Sequence, residues 1–381
     1  MRIAIDAREL MGKPTGVGRY LASLLTEWAQ LPAAAAHQFV LCAPGPLDHP
    51  CTQAPNVSVI FSPDGGTGQV PQGGSRPEGG RQGGTMWQQL TLPRLVRAAK
   101  ADLVFAPAYS GPLAVRTPMV VSVHDVSFVA HPEWFSRREG LQRRVIGRWS
   151  ARRATRILTF SDFSKREIVR AFGVDAGRVE VIYHGVTAFT GRAIDAQESA
   201  PARAPLILYA GSIFNRRHIP EVIDAFSRLA DRHPGVRLEL VGENRTLPFV
   251  DVTALIAASA VRDRIQARSY VSDAELAALY AAAAAFVFCS DYEGFGLTPL
   301  EALAAGIPIV VLDTEVTREI YGPAARYVSA PDPASIAAAL EAVLFDAAER
   351  ARILRAAGSV LGRYSWRESA QRTLQALLAS V

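Results

Sequence analysis

The chain has 381 residues, 49% of them hydrophobic, with a formal net charge of +5 and three cysteines. That length suits two domains that each bury their own core, and no run reaches the ~18 apolar residues a bilayer span requires, so a soluble globular protein is expected. The scattered Cys42, Cys51 and Cys289 fit a reducing, cytoplasmic setting better than a disulfide framework. Charges inside the first apolar segment argue against a secretory signal. Arginine carries nearly all the positive charge, since Lys13, Lys100 and Lys165 are the only lysines. This balance permits nucleic acid, a membrane surface or an anionic substrate and chooses none of them.

In chain order, Arg2 to Ala7 reads as a buried strand, followed by a loop ending Thr15-Gly16-Val17-Gly18-Arg19-Tyr20. A helix with Leu21, Leu24, Leu25 and Trp28 on one side comes next. Strand, glycine turn, helix is the opening unit of a dinucleotide-type fold, in which backbone amides meet phosphate. The turn is not G-x-G-x-x-G, which weakens the case for a nicotinamide enzyme. Gln38 to Ala43 and Val57 to Ser62 are further strands. Pro63 to Thr85, with nine glycines and three prolines, cannot offset its ordering entropy by burial and reads as a mobile loop. Trp87 to Arg97 is an amphipathic helix broken or kinked near Pro93. Asp102 to Pro107 and Pro118 to Val123 are short strands, the second ending at His124-Asp125, where parallel sheets bind ligands. Arg137 to Arg156 holds eight arginines around Leu141, Val145, Ile146 and Trp149. It reads either as a basic amphipathic helix drawn to anionic lipid or as a solvated charged face, the commoner state of charge runs. Ser161 to Ser164 starts a capped helix, with Glu167 three residues after Ser164. Val179 to Tyr183 is a strand closing with His184-Gly185-Val186, and Thr187 to Ala204 reads as a linker.

The alternation then restarts. Leu206 to Ala210 is a strand, and Gly211 to His218 leads to a helix with Val222, Ile223, Phe226 and Leu229 inward. Arg216 and Arg217, between a strand and a helix N-terminus, are placed for a diphosphate. Arg237 to Val241 is a strand, and Tyr270 precedes a helix from Asp273. Between the apolar runs Ala285–Cys289 and Ile307–Leu312 lies the stretch around which the chain is organised, DYEGFGLTPLEALAAGIPIVVLD from Asp291 to Asp313. It is strand, loop, helix, strand. Glu293 lies near a strand end and Glu301 eight residues later on the helix. Gly294 and Gly296 let backbone amides approach a ligand, and the helix start at Thr298 and Pro299 favours an anion. Such a set suits a molecule that is part sugar and part phosphate. Pro333 to Phe345 and Ala348 to Arg363 are helices, and a last helix ends near Ala379.

The Glu293–Glu301 spacing, the intervening GFGLTPL and the following AAGIPIVVLD resemble the E-x7-E signature of retaining glycosyltransferases of family 4, which have the GT-B fold. The resemblance implies an α/β protein of two Rossmann-like, doubly wound domains facing each other across a cleft, with a C-terminal helix crossing back to the first domain. On this reading residues 1–187 plus 364–381 bind the acceptor, 188–204 are the linker, and 205–363 bind the nucleotide sugar. It implies transfer of a hexose from a nucleoside-diphosphate sugar, with retention and without metal, to a hydroxyl of a saccharide or lipid-linked saccharide. Surface polysaccharide or glycolipid biosynthesis at the inner membrane face is the implied setting. By the same resemblance Glu293 meets donor-sugar hydroxyls, Glu301 the ribose and Tyr270 the base, while His124 lies near the reacting centre. Gly16, Arg216, Arg217 and the backbone of Phe295, Gly296, Leu297 and Thr298 would hold the diphosphate. The family has lysine where Arg217 stands, which keeps the charge and changes the contact geometry. The 63–85 loop is either an acceptor-covering flap or a passive insertion.

The sequence has no D-x-D pair beyond the D-Y-E inside the signature, and no zinc spacing, so neither metal nor other cofactor is expected. A non-catalytic nucleotide-sugar-binding scaffold and a GT-B epimerase stay open as alternatives. A phosphorylase would need a pyridoxal-binding lysine, and the second half has no lysine. No nucleic-acid-binding module is recognisable.

Overall fold

The structure, a computed structural model, describes residues 1–12, 16–61, 84–187 and 205–381. The linker reading and nearly all of the 63–85 loop reading fall outside the described residues. The chain divides into two compact units: unit 1 comprises Met1–Ala130, Arg138–Gly185 and Ser365–Val381, and unit 2 comprises His131–Arg137 and Val186–Tyr364.

Unit 1 is built on a parallel sheet of β1 (Arg2–Asp6), β2 (Gln38–Ala43), β3 (Val57–Phe61), β4 (Leu103–Ala106), β5 (Met119–Ser122), β6 (Arg156–Thr159) and β7 (Val179–Val181). The order is β3-β2-β1-β4-β5-β6-β7. Strands β4 and β5 are buried throughout, which is why they read as continuous apolar runs rather than alternating ones. Strand order reverses between β1 and β4, and at such a switch point the carboxyl ends of the strands open a ligand crevice. The helices that matter here are α1 (Val17–Trp28), α2 (Leu92–Ala98), α3 (Arg137–Arg153) and α4 (Asp162–Phe172). Helix α1 buries Leu21, Leu24, Leu25 and Trp28, the stripe its spacing predicts. The irregularity expected near Pro93 takes the form of a π-helical turn, Trp87–Thr91, closed by the Leu92 N–H on the Trp87 carbonyl, and helical backbone continues through Pro93 in α2. Ser161 rather than Ser164 caps α4, its Oγ accepting from the Ser164 amide at 3.0 Å.

Unit 2 repeats the plan with β8 (Leu206–Ala210), β9 (Arg237–Val241), β10 (Ile265–Arg268), β11 (Ala285–Phe288), β12 (Ile309–Leu312) and β13 (Arg326–Val328). Their order is β10-β9-β8-β11-β12-β13, all pairings being parallel, so the switch point falls between β8 and β11. Helices α5 (Ile219–Arg232), α6 (Asp273–Ala282), α7 (Leu297–Ala304), α8 (Glu315–Tyr321), α9 (Pro333–Phe345) and α10 (Ala347–Leu361) follow. The last helix, α11 (Trp366–Leu378), returns to unit 1, where Trp28 Nε1 of α1 donates to the Ala370 carbonyl at 2.8 Å.

Gly185 lies hard against the start of α11. A Cβ there would overlap the Trp366 backbone nitrogen and ring, whereas one at exposed Gly358 in α10 would meet nothing within 4 Å. Gly185→Ala should therefore lower the thermal midpoint, by about 2–3 kcal/mol of stability. Gly358→Ala should raise stability by about 0.5–1 kcal/mol, since an interior helical glycine carries an entropic cost. Thermal melts of both variants check the pair.

Candidate active site

At the carboxyl ends of β8 and β9 two glycines touch. Gly211 N donates to Val241 O at 2.8 Å, Gly242 N to Arg268 O at 2.8 Å, and a Cβ on Gly242 would overlap the Gly211 carbonyl. Only glycine allows this approach, which sends the chain from Gly211 across the end of the sheet. Asn215–Arg217 forms one 3-10 turn, and His218, at φ 52°, opens α5. Asn215 Nδ2 anchors the turn by donating to Pro248 O at 3.0 Å.

From this turn Arg217 reaches to the loop after β11. Its Nε donates to Glu293 Oε1 at 3.0 Å and its Nη1 to Ser212 O at 2.7 Å. The guanidinium carbon lies 4.6 Å from the Phe288 ring centroid, and a Cβ on Gly211 would stand 2.7 Å from Nη1. Flat stacking and two fixed acceptors lock the side chain, which an ammonium could not reproduce. Burial opposes the charge on Arg217, yet Glu293 and Tyr209 outweigh it and hold its pKa above the ordinary guanidinium value. Ser290 Oγ also donates to Glu293 Oε1, at 2.8 Å. Among the described residues both hydrogen bonds to this carboxylate end on Oε1, which leaves Oε2 as an acceptor.

Arg216 points its Nε to within 3.9 Å of the same Oε1, and that nitrogen is buried without a hydrogen-bond partner among the described residues. Its guanidinium lies over Phe214, 4.3 Å from the ring centroid. A buried cationic donor left unmatched is costly, and such groups gather where a ligand completes them. Beside it Asp291 N donates to Arg216 O at 2.9 Å, and His218 Nε2 pairs with Asp291 Oδ2 at 2.7 Å. Burial pulls the His218 pKa down, but Asp291 and Glu221 outweigh it and raise it.

The glycine turn ends at Gly296, φ 87°, which caps α7. A side chain there would overlap the Tyr321 hydroxyl, which donates to Gly296 O at 2.8 Å. The amides of the first turn of α7, Leu297 and Thr298 among them, have no partner within the helix. Phe295 is buried just before the cap. Glu301 is also buried and accepts from Tyr280 OH at 3.2 Å. Tyr270 is half exposed on the loop before α6. Among the described residues no group of three His, Cys, Asp or Glu side chains could hold a metal ion.

In unit 1, Gly16, φ 49°, starts α1 and accepts from the Tyr20 amide at 3.0 Å, with nothing within 4 Å of a Cβ. His124 follows β5. Its Nε2 lies 2.8 Å from Pro107 O, a group that only accepts, so that nitrogen carries the proton and Nδ1 is the acceptor of the neutral ring. Rings of Tyr20, Tyr109 and Phe160 surround it at centroid distances of 5.5, 5.3 and 4.5 Å. It keeps some accessible surface, but this apolar packing drives its pKa down to about 4.

Glu293, Arg216 and Arg217 thus meet at one point, with the Phe295–Thr298 turn and Glu301 following on the same βα unit. Sequence reasoning missed Ser290, Tyr280 and Tyr321. Ser290 has a local signal, three residues before Glu293, whereas Tyr321 reaches Gly296 from another helix and has none.

The chain's two halves match two family models, "Glycosyltransferase Family 4" over residues 14–188 and "Glycosyl transferases group 1" over residues 192–359. A glycogen synthase of Mycobacterium tuberculosis is 31% identical over 288 residues, covering 73% of this chain and 67% of its own. The O-antigen chain mannosyltransferase B of Escherichia coli is 30% identical over 271 residues, 68% and 69% of the two chains. The crystal structure of Anabaena HepE in complex with UDP and glucose superposes with a TM-score of 0.72 at 19% identity over 100% of both chains, a likeness of fold. The protein belongs to the glycosyltransferases of family 4 and has the GT-B fold.

Two outcomes follow from this geometry. Arg217→Lys should fold normally yet lose roughly tenfold or more in kcat/KM, because an ammonium cannot stack flat on Phe288 while reaching Glu293 and Ser212 in the fork's fixed geometry; steady-state kinetics decide it. For His124 the unfolded ring takes its proton near pH 6.5 and the folded ring only near 4, so the stability it contributes is complete above 6.5 and is lost as the pH falls through that window. His124→Gln should flatten that acid-side loss, by up to about 3 kcal/mol, in denaturant titrations of both proteins at neutral and acid pH.

Proposed function

We propose that this glycosyltransferase moves a hexose from a nucleoside-diphosphate sugar to a hydroxyl of a saccharide or lipid-linked saccharide, with retention of configuration and without a metal ion. The observation that carries the reading is the Glu293 carboxylate. Arg217 and Ser290 fix one oxygen, the other is open, and the incompletely paired Arg216 cation stands beside it. In this reading Oε2 accepts from a donor-sugar hydroxyl. Arg216 Nε, the remaining Nη2 of Arg217, and the amides of Phe295 to Thr298 hold the diphosphate. Glu301 accepts from the ribose and Tyr270 stacks with the base.

Transfer breaks the bond between the anomeric carbon and the diphosphate oxygen and forms one to the acceptor oxygen. The acceptor's proton passes to the departing phosphate. Charge develops on that phosphate, so donors already in position give the largest acceleration. The arginines and the start of α7 are such donors, which is why no metal is invoked. The matched glycogen synthase and O-antigen mannosyltransferase act in polysaccharide assembly, which supports a saccharide acceptor.

A thermal-shift screen of uridine, guanosine and adenosine diphosphates and their hexose derivatives, with EDTA present, tests the donor reading, since a ligand of the folded state alone raises its stability. One base should shift the midpoint selectively, and the shift should survive EDTA. Glu293→Ala should retain that shift and lose transfer by at least about a hundredfold. Near-normal turnover in this variant would remove Glu293 from the mechanism.

A further inference from the structure

Helix α3 is packed inside out. The residues it buries are small: Gly140, Gly147, Ser150 and Ala151. Ser150 Oγ exchanges hydrogen bonds with the backbone of Gly111 at 3.1 Å, and a Cβ on Gly147 would already touch the Phe128 and Phe172 rings. The large apolar residues face away from the sheet. Leu141, Val145 and Trp149 are 57%, 46% and 58% exposed, and their four-residue spacing makes one stripe opposite the buried glycines. Met86, 65% exposed, adjoins this stripe across a shallow depression lined with Leu141, Val145 and Ile146, and Leu90, 59% exposed, lies one turn beyond it. An apolar patch of this kind on a surface marks an interaction site.

Its surroundings identify the partner's chemistry. Helix α3 carries seven arginines and one acidic residue, Glu139, which is paired with Arg143. Arg138, Arg148 and Arg152 fall in the apolar stripe itself by helical periodicity. Arg138, Arg144, Arg148 and Arg153 have no carboxylate partner among the described residues. A second copy of the chain would bring two such arginine rows together, and residues 62–83 offer Val70 as their one aliphatic side chain. We infer that this face of unit 1 docks on a lipid surface bearing anionic headgroups, with Trp149, Leu141, Val145 and Met86 entering the headgroup boundary and the arginines meeting phosphate. An interfacial helix combines these two attractions, and its binding weakens as salt screens the second.

The test is flotation of the full-length protein with phosphatidylcholine vesicles, with and without phosphatidylglycerol, at low and high salt. Binding should require phosphatidylglycerol and fall about tenfold or more at high salt. Leu141→Ser/Trp149→Ser and Arg138→Gln/Arg148→Gln should each bind at least about tenfold less well while melting like the wild type. The proposal is overturned if the protein ignores both vesicles, if neutral vesicles serve equally, or if the folded variants bind as the parent does. It also fails if sedimentation shows a dimer that the Leu141/Trp149 substitutions dissolve.

Discussion

Arg217 holds Glu293 by one oxygen, and the rest of the site in unit 2 depends on that contact. It fixes the rotamer of a carboxylate that is otherwise bonded by Ser290 alone among the described residues. The clamp in turn needs three features of the fold. Gly211 and Gly242 must touch so that the loop can cross the sheet end, Phe288 must close β11 under the guanidinium, and the Ser212 carbonyl must face it. Each lies at the carboxyl ends of β9, β8 and β11, so this geometry follows from strand order and two glycines more than from the acidic residues themselves. A free glutamate on a glycine turn would sample several rotamers, and holding one in advance lowers the cost of binding and reaction.

Much of this was legible in the chain. Parallel strands buried on both faces give apolar runs, and the strands Leu206–Ala210 and Arg237–Val241 and the helix Pro333–Phe345 fall where the sequence pattern puts them. Glycines at 294 and 296 and two glutamates eight residues apart marked the loop and helix after β11, and the paired arginines marked the turn after β8, as the candidate site. The sequence could not say which arginine faces Glu293. Neighbours in a turn point in different directions, and only the path of the 3-10 turn sends Arg217 to the carboxylate while Arg216 keeps an unmatched Nε. The Tyr280–Glu301 and Tyr321–Gly296 contacts join residues more than twenty positions apart and leave no local mark.

Helix α3 was ambiguous for a different reason. Hydrophobic periodicity locates a buried face by its large side chains, and here the packed face is built of glycine, serine and alanine, which contribute almost nothing to that signal. Close helix–sheet approach is achieved by small residues, and the apolar stripe that results on the outside is surplus to folding.

The central claim is that Glu293, fixed by Arg217, recognises the sugar of the donor and not its nucleotide. Calorimetric titration of the wild type and Glu293→Gln, each with the nucleoside diphosphate and with the corresponding nucleotide sugar, addresses it most directly. The account predicts that the variant binds the diphosphate as the wild type does and loses the added affinity or enthalpy that the sugar brings. An unchanged difference between the two ligands, or an equal loss for both, would contradict it.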